Sequence, residues 1–292
     1  MATSPVQLRP RRSVLYMPAS NQKAIDKART LPCDAVILDL EDAVAPEAKD
    51  AAREQALAAI RAGGFGRREL ILRINGLETP WGEADLAAAC QVEGLDAVLV
   101  PKINDAGDVA RYDGRLSHAA RETRLWAMIE TGRVLFHLEG VAAASRTSRL
   151  SSFVMGTNDL VKESGARLTT ARTALHTALS LSVAAGKAYG LTVLDGVFNG
   201  LEDPQGLEAQ CAQGLEFGFD GKTLIHPNQI DIANRVFSPT EDEVAFARAV
   251  IAAFSLPENA DKGAIRVAGK MAERLHLAQA EKTVAVAEAI TA

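Results

Sequence analysis

The amino-acid sequence predicts a (β/α)8 barrel with a small C-terminal helical extension. Eight short apolar runs recur between residues 13 and 227, and helix-like segments separate them. Most of the runs are continuous rather than alternating, as strands read when both faces of a parallel sheet are covered. Alternating strands and helices build a parallel sheet, and eight such units point to a closed barrel. An open doubly wound sheet is the alternative that the count leaves.

The expected strands are "SVLYMP" (13–18), "AVILDL" (35–40), "LILRIN" (70–75), "AVLVPK" (97–102), "LWAMIE" (125–130), "SFVMGT" (152–157), "LTVLDG" (191–196) and "KTLIHP" (222–227). Helices are expected after them, among others at 46–61, 80–92, 133–145, 170–189 and 204–215. Pro46 and Pro80 stand where a first helical residue would, and Asp203 precedes Pro204 as a cap. The pattern changes near residue 238. "SPTEDEVAFARAVIAAF" reads as a helix capped by Ser238 or Thr240, with Glu243 completing a capping box. A polar loop, a short extended piece and an amphipathic helix near 275–290 follow. The expected division is therefore a barrel, 1–237, and a helical extension, 238–292, which is too short to fold alone and packs on the barrel or on a neighbouring subunit.

With 292 residues, 48% of them hydrophobic, the chain can bury a large core. A formal charge of −5 argues against nucleic-acid and membrane-surface partners, which reward basic patches. No apolar run approaches the roughly 20 residues that cross a bilayer, and the N-terminus shows no apolar stretch of a secretory signal. Three scattered cysteines suggest reduced thiols in a cytoplasmic protein. The sequence contains no GxSxG, Walker A or GxGxxG fingerprint, and its five histidines lack metal-binding spacing.

Barrel enzymes carry their chemistry at the C-terminal ends of the strands. Read in order, those ends supply Asp39, Glu41 and Asp42, then Arg73 and Asn75, Lys102, Glu130, Asn158 and Asp159, Asp195, and His226. Three acids within "DLED" repel one another unless a metal, a cation or water intervenes. Glu130 and Asp159 end adjacent strands, and two such carboxylates suit Mg²⁺, which keeps its other positions for water and substrate. An ion pair with Arg73 or Lys102 explains them equally well. Arg73 is either a two-pronged clamp for a substrate carboxylate or a partner of nearby acids. Gly156, Thr157 and Asn158 form a small-residue turn suited to binding an oxyanion through backbone N–H groups. Arg11, Arg12, Lys23, Lys27 and Arg29 concentrate positive charge near the N-terminus, as a phosphate site or as a solvated face.

Together, "RRSVLYMPASNQKAIDKA", "AVILDLEDAVAPEAKDAAR", "LRINGLETPWGEADL", "VLVPKI", "MIET", "VMGTNDL" and "TLIHPNQI" resemble the citrate lyase β-subunit-like family. This group lies within the HpcH/HpaI aldolases and includes malyl-CoA, citramalyl-CoA and citryl-CoA lyases. The resemblance implies a Mg²⁺-dependent barrel, with Mn²⁺ as a substitute, that cleaves or forms a carbon–carbon bond in a hydroxyacyl-CoA thioester. It also implies a homotrimer or hexamer. Matched position by position, Glu130 and Asp159 correspond to the metal ligands, and Arg73 to the arginine that binds the keto acid. Glu41 and Asp42 correspond to acids that hold metal-bound waters, and Arg12, Lys23 and Lys27 lie where the CoA site begins. Asp39 is expected to pair with a cation inside the barrel. The lid residue corresponding to a catalytic Asp is Glu273 here, one methylene longer, which shifts an acid meant to protonate the departing enolate. Two other readings remain: a class II aldolase acting on free hydroxy-keto acids, and a non-catalytic subunit that binds keto acid and CoA.

Overall fold

A computed structural model describes residues 9–291 as two compact units, one of them Arg11–Arg235 and the other formed by 236–291 with 9–10. In the larger unit eight parallel strands close into a barrel in sequence order. They are β1 (Ser13–Pro18), β2 (Ala35–Asp39), β3 (Glu69–Arg73), β4 (Ala97–Val100), β5 (Arg124–Ile129), β6 (Leu150–Met155), β7 (Thr192–Asp195) and β8 (Gly221–Leu224). Pairing of Val14 with Thr223 closes β1 on β8. All residues of β2, β3, β4 and β8 are buried, which is why these stretches read as unbroken runs. Inward-facing Val14, Ile37, Ile71, Leu99, Trp126, Val154 and Leu194 fill the interior, with Tyr16 packed against them. The interior is therefore a packed core, and it leaves room for a site only at the rim.

Eight helices follow the strands: α1 (Gln22–Ala28), α2 (Lys49–Ala62), α3 (Gly82–Gln91), α4 (Ala106–Leu116), α5 (Leu138–Ala143), α6 (Thr157–Ser164), α7 (His176–Ala188) and α8 (Pro204–Phe217). Asp203 caps α8 by accepting from the Gly206 N–H. Asp105 caps α4 by accepting from the Gly107 and Asp108 N–H groups, and that anchor offsets the two glycines that weaken this helix. The helix expected over 133–145 is broken. Turns of 3₁₀ helix at Val134–Phe136 and Ala144–Arg146 flank a six-residue α5 that contains Gly140 and has no side-chain cap. The helix expected from 170 starts at His176, because Arg172 takes a left-handed backbone (φ 51°) that cannot continue a helix. Pro80 lies two residues ahead of α3 rather than at its first position.

A further helix, α9 (Ile230–Val236), leads to the second unit, which contains α10 (Glu241–Phe254), β9 (Ala264–Val267), β10 (Lys270–Glu273) and α11 (Arg274–Thr291). Thr240 and Glu243 form the expected capping box. The short extended piece is an antiparallel hairpin of β9 and β10. Val250, Phe254, Ile265, Val267, Ala272 and Ala280 make this unit's own small core. Among the described residues no helix is long and apolar enough to cross a membrane.

One sequence expectation fails on the direction of the strands. Arg12 precedes β1, so it lies at the N-terminal end of the barrel, opposite the rim where the loops after the strands gather. It is buried, and its Nε and Nη2 each donate to the Asp34 carboxylate at 2.8 Å. Arg11 behaves alike, donating to Glu69 at 2.6 and 2.8 Å and stacking over Trp126. Both arginines close the barrel floor, and Arg12 is corrected from a CoA contact to a structural ion pair. Removing one member of a buried ion pair costs about 3–5 kcal/mol. Arg12→Met is therefore expected to lose stability on that scale in denaturant titrations.

Candidate active site

The rim of the barrel holds an open cleft of about 330 Å³. One wall comes from the loop after β2. Asp39 ends that strand and Arg73 ends β3, directly opposite in the sheet register. Arg73 Nε and Nη2 donate to the two oxygens of Asp39, each at 2.6 Å, and its guanidinium stacks over the Tyr16 ring. Asp39 also accepts from the Glu41 and Ala43 N–H groups, so the same carboxylate folds the acidic loop. The expected pairing of Asp39 with a cation is present. The two-pronged face of Arg73 is thus taken by Asp39 and is withdrawn from clamping a substrate. What Arg73 turns to the other acids is Nη1, 2.6 Å from Glu41 Oε2 and 3.2 Å from Asp42 Oδ2. Glu41 Oε2 is close enough for an ion pair but lies off the N–H direction and accepts no hydrogen bond. Lys49, on α2, donates to the carbonyls of Leu40 and Glu41 and adds a second positive charge beneath the loop.

Three carboxylates around one guanidinium do not all ionise. Burial pushes the Glu41 carboxyl up to about 8, against Arg73 and aided by the neighbouring charges of Asp42 and Glu130. Asp42, despite its own burial, is held below the usual carboxylate range by Arg73 and by a hydrogen bond from Glu41. Burial thus favours the protonated form of Glu41, while Arg73 favours the ionised form of Asp42.

The opposite wall comes from the ends of β5 and β6. Glu130 follows β5 and is buried. Its Oε1 accepts from the Lys102 N–H at 2.8 Å and lies 3.4 Å from Lys102 Nζ. Its Oε2 is buried without a hydrogen-bond partner. Burial raises the Glu130 pKa, with Lys102 opposing. Asp159, in the first turn of α6, pairs with the same ammonium at 2.7 Å. Lys102 has left-handed backbone (φ 54°), a strained state that directs both its N–H and its side chain toward these acids. The ion pair read from the sequence is thus formed. The pair also fits a divalent cation: two carboxylates gathered on one positive charge, one with an orphaned buried oxygen. Among the described residues no three His, Cys, Asp or Glu side chains form a metal-holding group, so water and substrate would complete the coordination of a hard cation such as Mg²⁺.

Gly156 is required by close packing. A Cβ there would overlap the Glu130 side chain, standing 2.6 Å from Oε2. Its N–H donates to the Ile129 carbonyl, which removes Gly156 from the expected set of oxyanion donors. Thr157 and Asn158 line the cleft, and Asn158 exchanges side-chain hydrogen bonds with Asn199 from the loop after β7. Two expected rim groups lie elsewhere. Asp195 is fully buried toward the helices, paired with Arg172 and Lys222, and His226 caps the turn after β8 through Asn228. Lys23 and Lys27 are exposed on α1, past the C-terminal end of β1. Glu273 ends β10 in the second unit, exposed, with its N–H donating to His276 Nδ1. Tyr16, Asn199 and Thr223 line the cleft without having been expected there. The two-residue alternation from Val14 marks Tyr16 as inward-facing, and Asn199 lies in a loop after a strand, where barrel sites collect.

A closed parallel barrel with acids and cations gathered round a cleft at its C-terminal rim is the arrangement in which (β/α)8 enzymes carry their sites. The profile of the HpcH/HpaI aldolase/citrate lyase family matches residues 12–227, and the chain belongs to that family. A (3S)-malyl-CoA thioesterase of Cereibacter sphaeroides is 45% identical over 286 residues, 98% of each chain. An L-malyl-CoA/beta-methylmalyl-CoA lyase of the same species is 32% identical over 99% of this chain and 98% of its own. The solved structure of protein CitE from Mycobacterium tuberculosis with magnesium, acetoacetate and coenzyme A aligns with a TM-score of 0.74. It is 29% identical, with 96% of this chain and 100% of that one covered.

The Glu41 shift has a measurable sign. A carboxyl whose folded pKa stands near 8 binds more protons folded than unfolded, so its ionisation destabilises the fold as pH rises from about 4.5 to 8. Glu41→Gln removes that penalty. The variant's stability relative to wild type is expected to increase across this window in denaturant titrations without metal, and to be flat above pH 8. A relative stability that falls with pH would refute the assignment of the proton to Glu41.

Proposed function

We propose that this protein is a divalent-metal-dependent enzyme acting on a short hydroxyacyl-CoA thioester of the malyl-CoA class, with Glu130 and Asp159 as the metal ligands. The observation that carries this is the buried, unpartnered Oε2 of Glu130 beside an Asp159 that shares its cation. The relatives that act on malyl-CoA thioesters, matched over nearly the whole chain, support the substrate class. Glu130 and Asp159 would hold Mg²⁺, or Mn²⁺ in its place, which would supply a Lewis acid for a chelating hydroxy or keto acid.

The chain's own residues do the rest. Arg73 Nη1 offers positive charge to an anionic substrate group, in competition with Glu41 and Asp42. Glu41 holds a transferable proton at neutral pH, and Asp42 accepts one. Met128, Met155 and Val197 give the cleft apolar wall, which excludes water from the reacting atoms. Thr157 and Asn158 serve substrate oxygens. Lys23 and Lys27, exposed on α1, are assigned to the phosphates of CoA. Glu273 is assigned to a lid acid over the cleft of a neighbouring subunit in a homotrimer or hexamer.

Two bonds of such a substrate can break here. In carbon–carbon cleavage ionised Asp42 takes the hydroxyl proton, the electrons of the breaking bond pass to the thioester half as its enolate, and the acid of Glu273 protonates that enolate, which yields a keto acid plus an acyl-CoA. Hydrolysis of the thioester is the second reading, favoured by the 45% identity to malyl-CoA thioesterases. Incubation with Mg²⁺ and malyl-, citramalyl- or citryl-CoA separates them. Cleavage releases keto acid without free thiol, whereas hydrolysis releases free thiol without keto acid. Glu130→Gln and Asp159→Asn are expected to lower turnover by about 100-fold or more, since the metal's share of transition-state stabilisation is several kcal/mol. Full activity in either variant, with circular dichroism unchanged, would overturn the metal assignment. Gly156→Ala, which must push the Glu130 carboxylate aside, is expected to weaken Mg²⁺ binding in calorimetry while the fold is retained.

A further inference from the structure

Behind the cleft wall lies a cluster of charges that the proposed chemistry does not use. Asp195, Lys222 and Arg172 are all buried between the barrel and its helices. Arg172 Nη1 donates to both Asp195 oxygens, at 2.6 and 2.9 Å, and its Nε to Gln213. Lys222 Nζ donates to Asp195 Oδ2 at 3.0 Å and to Gln210 of α8 at 2.7 Å. Packing alone does not ask for an ammonium here, since an apolar side chain of similar volume is often as stable as a buried ion pair. What this ammonium does is specific. It also donates to the Gly196 carbonyl, while Asp195 Oδ1 accepts from the Gly196 N–H at 2.8 Å. Both peptide groups flanking Gly196 are thus held by one ion pair.

Gly196 is the point where this clamp meets the site. A Cβ on it would stand 2.6 Å from Thr157 Oγ1 and 2.8 Å from the Met155 carbonyl. The residues after it, Val197 and Asn199, line the cleft, and Asn199 holds Asn158. Thr157 opens the helix whose third residue is Asp159.

We propose that Lys222 and Asp195 are positioning residues: by clamping Gly196 they hold the loop after β7 against Thr157 and Asn158, and so fix where Asp159 stands. The effect on metal binding rests on the reading of Asp159 as a ligand. The effect on the loop does not.

Lys222→Met and Lys222→Gln test this in the full-length protein, by hydrogen–deuterium exchange of peptides and by Mg²⁺ calorimetry. In Lys222→Met, peptides covering 155–164 and 195–203 are expected to exchange faster, while peptides covering Asp39 and Arg73 keep wild-type protection. Groups that orient metal ligands typically contribute 10–100-fold to affinity, so Mg²⁺ binding should weaken by about tenfold or more. Lys222→Gln keeps an N–H donor and should restore part of both effects; it also replaces Lys222→Met if that variant does not fold. Faster exchange spread evenly over the barrel, or none in these two peptides, would overturn the proposal. Local exchange with no Mg²⁺ binding even in the wild type would uphold the clamp and sink the metal reading instead.

Discussion

The rim of this barrel depends on the buried pair formed by Asp39 and Arg73. The two residues are direct register partners at the ends of β2 and β3, and each brings a charge out of water. Such a pair is tolerable only if the remaining lone pairs and protons find partners. Asp39 meets that demand by accepting two backbone N–H groups of the loop that follows, which fixes Glu41 and Asp42 around the same guanidinium. The crowding of acids that looks unfavourable in the sequence is therefore a consequence of one requirement, that Asp39 be fully hydrogen-bonded. Its by-product is a Glu41 carboxyl that burial biases toward its protonated form.

A second requirement comes from barrel closure. Parallel strands leave a polar rim at both ends, and both are neutralised by arginine. At the floor, Arg11 and Arg12 meet Glu69 and Asp34 with both prongs engaged, and Trp126 covers the core above. At the rim, Arg73 uses two donors in the same way but keeps Nη1 among acids that titrate. This difference in unsatisfied groups contributes to the chemical asymmetry of the two ends.

The strands were legible because burial on both faces makes each one a continuous apolar run, and Glu130 and Asp159 were legible because each follows such a run. Arg12 misled because its charge is visible in a sequence while the end of the barrel it occupies is not. Asp195 misled in the opposite way. It ends its strand as Asp39 does, yet it turns toward α8, where Lys222 and Arg172 await it. Nothing in local composition marks those partners, which lie 27 and 23 residues away. The left-handed backbone of Lys102 has no signature in residue type at all, since glycine or asparagine is the usual occupant of that conformation.

On the proposed reading of Glu130 and Asp159 as metal ligands, that backbone bears on how a metal and a lysine would share the two carboxylates. Lys102 approaches Glu130 twice, through its N–H at 2.8 Å and its ammonium at 3.4 Å, and both approaches are to Oε1. The N–H contact belongs to the backbone and survives any movement of the side chain. Gly156 leaves room for the carboxylate and nothing more, so Glu130 has little freedom to turn. The orientation of Oε2 is thus set by a peptide group and by packing, neither of which depends on charge. A divalent cation held by Glu130 and Asp159 would have to displace only the ammonium end of Lys102. Preorganisation of this kind separates this carboxylate pair from an ordinary surface ion pair, in which both partners must be reordered when either is lost.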